Sequence, residues 1–120
     1  FFAVGPDFSY ANLAQAKLNG VTLPRSRFLF ASLSAVNFTS SQFNESNFFG
    51  ATIFGSDFSG SKLNSSVMSK VKLNGTLMCA ADLTKVDFTG ANLQGADLSS
   101  ATITGTVFTD AELTRTKMPK

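Results

Sequence analysis

The sequence predicts an all-β fold built as a regularly turning coil, and two observations carry that prediction. All nine glycines fall at positions divisible by five, namely Gly5, Gly20, Gly50, Gly55, Gly60, Gly75, Gly90, Gly95 and Gly105. Three residues further on in the same frame, every fifth residue from Phe8 to Met118 is Phe, Leu, Ile or Met. A helix repeats its buried face about every 3.6 residues and a strand every second one. A period of five fits neither, and a strict internal period decides the architecture before any other signal. What remains is a coil of short straight segments, each pointing one large side chain inward.

The other columns of the frame agree. Two residues before each large apolar position stands a small one, beginning Ala11, Ala16, Val21, Ser26, Ala31 and Val36. A side chain of that size can also point inward without overfilling the interior. Between the two lies a mostly polar column with Asp7, Asn12, Lys17, Asn37, Asp57, Asp82, Asp87, Asn92 and Asp97. Ser, Thr and Asn follow on the outside, and then the glycine column, where a corner needs a permissive backbone.

The pentads Ala81-Asp82-Leu83-Thr84-Lys85, Ala91-Asn92-Leu93-Gln94-Gly95 and Ala96-Asp97-Leu98-Ser99-Ser100 give the pattern in full. With them the chain strongly resembles the pentapeptide-repeat family over essentially its whole length. The resemblance implies a right-handed quadrilateral β-helix, a pentapeptide-repeat solenoid with four repeats per coil. About six coils would make residues 1–120 a single domain. Residues 1–5, with Phe1, Phe2 and Val4, are expected to cover the first coil, and residues 119–120 to form the exit.

Four-sidedness leaves its own trace. Taken in steps of twenty, one side reads Phe8, Phe28, Phe48, Met68, Phe88, Phe108, an aromatic core ladder. The next reads Leu13, Leu33, Ile53, Leu73, Leu93, Leu113, with no aromatic. Rings stacked one strand spacing apart gain offset-stacking energy beyond the area they bury.

Little points to catalysis, and neither a catalytic, a cofactor-binding nor a metal-binding residue is assigned. Histidine is absent, so the commonest general base and metal ligand is missing. Cys79 has no evident activating neighbour and reads as a tolerated small residue. Asp82, Asp87 and Asp97 occupy the ordinary repeat position for Asp or Asn. The Asn-x-Ser/Thr sequons at Asn37, Asn44, Asn64 and Asn74 read as products of a composition rich in those residues. No stretch is apolar enough for a membrane span, and no charged-then-apolar leader opens the chain. Ten basic residues against eight acidic ones give a net charge of +2 without any run of like charge. That balance gives no footprint for nucleic acid.

Exceptions on the outside are more informative. Tyr10 and Phe30 share one outward column, Leu29 and Phe49 the neighbouring one, and Phe54 lies one side further round. Together they are expected to form an aromatic contact surface for a partner protein. The solenoid ends are a second candidate surface, including for a homodimer. The expected function is a non-enzymatic scaffold that binds another protein through its aromatic patch or its ends. Some members of the family act instead as acidic duplex mimics that bind DNA gyrase and confer quinolone resistance. The positive net charge and unbroken array of this chain depart from that alternative.

Overall fold

Parallel bridges join each polar-column residue to the one twenty positions later, from Asp7 with Arg27 to Asp97 with Lys117. The computed structural model describes residues 5–120; the expected cover by Phe1, Phe2 and Val4 lies outside them. Each bridge is a short parallel ladder. Phe28 N–H donates to Asn47 O at 2.8 Å, and Asn47 N–H donates back to Ser26 O at 2.9 Å. Four such segments, each followed by a turn, close one twenty-residue coil, and the next coil stacks directly upon it.

The corner is a tight turn. Ala11 N–H donates to Phe8 O at 3.1 Å, and the same bond recurs at Ala51 to Phe48 (3.0 Å) and Ala91 to Phe88 (2.9 Å). Its third residue is left-handed at every repeat: from Tyr10 to Arg115 each residue at a multiple of five has φ between 55 and 71°. Glycine adopts that conformation freely, whereas an L side chain costs roughly 1–2 kcal/mol there. The glycine phase is thus the visible part of a rule that Ala35, Ala80 and Lys85 obey under strain.

Inside, large and small columns share one core. Phe28, Leu33, Phe38, Phe43, Phe48, Ile53, Phe58 and Leu63 are fully buried, as are Met68 and Phe88. Phe28 stacks on Phe48 with centroids 4.8 Å apart and planes at 3°, while Phe38 stacks on Phe58 at 4.2 Å. Phe43 meets Phe28, Phe38 and Phe48 edge-on. Phe8 and Phe108, at the two extremes of the same ladder, are only partly buried.

The small column is not only apolar. Several of its hydroxyls donate to carbonyls of the coil before, Ser56 Oγ to Leu33 O at 2.5 Å, Ser66 Oγ to Phe43 O at 3.0 Å and Thr76 Oγ1 to Ile53 O at 2.6 Å, while Ser26 and Ser41 donate within their own coil to Leu23 O and Phe38 O. Ser61 differs, because its hydroxyl is buried without a partner. A buried donor left unpaired costs about 1–3 kcal/mol. Ser61→Ala is therefore expected to be neutral or stabilising by about 1 kcal/mol, and Thr76→Ala to be destabilising by about 1–2 kcal/mol. Urea midpoints of the two variants, measured side by side, check the contrast; equal losses would contradict it.

Candidate functional site: an exposed aromatic corner

The corner after the Phe8–Phe108 face carries Tyr10, Phe30, Gly50, Lys70, Gly90 and Asp110 in successive coils. Tyr10 is 75% exposed and Phe30 50%. Their rings stack with centroids 5.6 Å apart and planes at 19°. Phe30 meets Phe49 edge-on at 5.6 Å. The Phe30 ring also lies over Gly50, where an added Cβ would sit 2.5 Å from Phe30 Cε1. Any side chain at position 50 would therefore push the ring aside.

The structure brings Tyr10, Phe30 and Phe49 into one ring cluster. Leu29 and Phe49 are half-buried on the wall beside the corner, and Leu29 N–H donates to Ser9 Oγ at 3.2 Å. Phe54 stands apart on the next face; it is exposed, and among the described residues no ring contact joins it to the other three. Tyr10 and Phe30 sit at φ 64° and 56°, a conformation in which bulky side chains are outliers. The same state is held at the other non-glycine corners, so the conformation belongs to the repeat, and the bulk and exposure of the two rings are what set them apart.

The carboxylates do something different. Asp7 Oδ1 accepts the Ser9 N–H at 2.9 Å, Asp87 Oδ1 that of Thr89 at 2.9 Å, and Asp97 Oδ1 that of Ser99 at 2.9 Å. Asn12, Asn37, Asn47 and Asn92 make the same bond to the residue two positions on. A short polar side chain here satisfies a turn N–H that the ladder leaves over. Asp and Asn serve equally because only the acceptor oxygen is used. The hydroxyl and N–H of Ser99, then the Cys79 thiol and Lys117, hold the Asp97 carboxyl below its ordinary value of 3.8. Asp7 is lowered by Ser9 and Arg27, and Glu112 by Thr114.

These groups bind protons less readily folded than unfolded. Their stabilisation is therefore present above the ordinary carboxylate values and lost as pH falls through the lowered folded ones. Stability should be level near neutrality and fall between about pH 5 and pH 2. Asp97→Asn keeps the acceptor and removes the titration, so its acid loss should be shallower. Urea unfolding across that range checks this, and identical profiles would contradict it.

Partial burial, then the neighbouring Asp97 carboxylate, pushes the Cys79 thiol up, away from the thiolate a nucleophile needs. The sequons are likewise absorbed by the repeat. Ser46, Ser66 and Thr76, the hydroxyl residues following Asn44, Asn64 and Asn74, are buried and hydrogen-bonded inward. Asn37 Oδ1 accepts from both the N–H and the hydroxyl of Thr39. Among the described residues no group of His, Cys, Asp or Glu could hold a metal ion. No helix there is long and apolar enough to cross a membrane. A shallow concavity of about 510 Å³ is lined by Ser99, Ser100, Ala101, Met118, Pro119 and Lys120, without a titratable pair or a convergent set of polar groups.

Comparison with known proteins accounts for the architecture. The pentapeptide repeats family matches residues 7–41, 31–69, 41–78 and 81–118. Among solved structures, the chain resembles HetL of the cyanobacterium Nostoc sp. strain PCC 7120, a pentapeptide repeat protein involved in heterocyst differentiation regulation. The TM-score is 0.79 at 20% identity, over 93% of this chain and 61% of that one. The chain thus spans about three-fifths of HetL. Rfr23 from the cyanobacterium Cyanothece 51142 superposes at 0.74 with 21% identity, over 89% and 90% of the two chains. The pentapeptide repeat protein alr5209 from Nostoc PCC 7120 is 29% identical at a TM-score of 0.63, over 70% of this chain and 74% of that one. Among curated proteins none matches. The five-residue frame, the twenty-residue bridges and the left-handed corner all follow from one fact: the chain belongs to the pentapeptide-repeat family, whose members are right-handed quadrilateral β-helices and non-enzymatic repeat scaffolds.

Proposed function

We propose that this chain is a protein-binding scaffold: residues 1–120 form a single solenoid domain of about six coils, whose aromatic corner carries the partner. One observation carries the reading. Two stacked aromatic rings are left largely in water at a corner whose later coils carry Gly50, Lys70, Gly90 and Asp110. The turn itself does not require the rings, since Gly50 and Gly90 complete it without strain or exposed apolar surface. Rigid aromatic anchors are the residues that protein interfaces favour. A homodimer through a solenoid end is the second contact considered.

Replacing Phe30 and Phe49 together by Ser should leave folding intact and abolish partner association. Circular dichroism checks the fold, and affinity capture with quantitative mass spectrometry the association. Undiminished capture by the double variant would remove the corner from consideration. Inhibition of gyrase supercoiling at micromolar protein would instead favour a duplex mimic, which requires dense negative charge along its length.

A further inference from the structure

The half-exposed ring of Phe30 is held on three sides. Tyr10 stacks on it from the coil before, and Phe49 meets it edge-on from the wall. From the coil after, the bare backbone of Gly50 supports it. An added Cβ at position 50 would stand 2.5 Å from Cε1 of the ring, 2.7 Å from Cδ1 and 3.3 Å from Cζ. No carbon atom tolerates the first two distances. A ring displaced from Gly50 must press into Tyr10 or swing outward, away from Phe49.

Among the described residues, no other corner glycine lies under a ring. At Gly90 the nearest atoms are the flexible end of Lys70, with Cδ and Nζ 3.0 Å from an added Cβ. At Gly20, Gly55 and Gly75 nothing lies within 4 Å. Nor does the turn by itself demand glycine at position 50. Ala35 and Ala80 hold the same corner at φ 56° and 58°. What alanine would disturb at position 50 is the ring.

We infer that Gly50 is a positioning residue of the aromatic corner: its lack of a side chain fixes the Phe30 ring in the pose presented to a partner. The inference rests on the reading of that corner as a contact surface and adds how the surface is kept ready. A ring already fixed before association has less conformational freedom to lose. Preorganising one such side chain raises affinity by about two- to tenfold.

The test has a spectroscopic arm and a binding arm. Tyr10 is the only tyrosine and the chain has no tryptophan, so the tyrosine band in near-ultraviolet circular dichroism reports its stack on Phe30. Gly50→Ala is compared with Gly75→Ala, which carries the same backbone strain, φ 68° against 69°, with nothing within 4 Å to strike. Phe30→Ser marks the signal without the stack. Both alanine variants should fold, and only Gly50→Ala should lose the band as Phe30→Ser does. In the binding arm, benzoylphenylalanine at position 30 forms its adduct in an extract of the native cells, with each unlabelled variant as competitor. Gly75→Ala should compete like the wild type, and about two- to tenfold more Gly50→Ala should be needed. A band or a competition strength that Gly50→Ala retains overturns the positioning role and leaves the corner standing. Equal losses in both alanine variants also overturn it, since backbone strain then accounts for them. No adduct, or one that excess wild-type protein does not compete, overturns the corner reading and the inference with it.

Discussion

Phe88→Ala is expected to cost about 3–5 kcal/mol, as truncation of a buried aromatic does when the surroundings cannot close in. Phe88 is fully buried and stacks on Phe108 with centroids 5.4 Å apart and planes at 10°. Its inward direction is fixed by the ladder on either side. Phe88 N–H donates to Val107 O at 2.8 Å, and Asp87 N–H to Ser66 O at 3.1 Å, so its backbone cannot slide toward a void. Neighbouring coils are locked at the same spacing, and the cavity persists. Urea unfolding monitored by circular dichroism gives the number. A loss below about 1 kcal/mol would mean that the ring contributes little to the interior.

Ala96→Leu is expected to destabilise by about 1–3 kcal/mol for the opposite reason. Ala96 is fully buried beside the large column, and its N–H donates to Leu93 O at 2.9 Å across the turn. Extra methylenes there must displace side chains held by ladders above and below, because a packed interior has few voids to receive them. Thermal unfolding beside the wild type measures the effect. A rise in stability would show unfilled space in the core.

Much of this architecture could be read from residues alone, for a physical reason. A solenoid with one environment per column writes its fold into the frame, so Leu13, Leu33 and Ile53 announce their shared side without any contact being known. The conformation of the corner was half visible. Glycine marks a permissive backbone, but nothing in Tyr10, Phe30 or Lys85 reveals that they adopt the same left-handed state. Only the phase they share with Gly50 and Gly90 hints at it.

The polar columns were harder to read. Asp82, Asp87 and Asp97 stood in a recognisable repeat position, yet their use as acceptors for turn N–H groups needs coordinates. So does the inward hydrogen bond of Thr76, and the want of one at Ser61. Side-chain rotamers decide these, and a period does not encode rotamers. The same limit applies to the aromatic exceptions. Phase alone puts Leu29, Phe49 and Phe54 outside, while the structure half-buries the first two against the wall and separates the third from the ring cluster.

The measurement that bears most directly on the aromatic corner is photo-crosslinking from single positions in an extract of the native cells. A benzoylphenylalanine replaces Phe30 in one variant and Leu77 in another. Leu77 is 43% exposed on the third face between Asp57 and Asp97, and so serves as an apolar control away from the corner. The corner reading predicts a discrete adduct from position 30, competed by excess unlabelled wild-type protein, and none from position 77. Adducts of equal yield from both positions, or from position 77 alone, would contradict it.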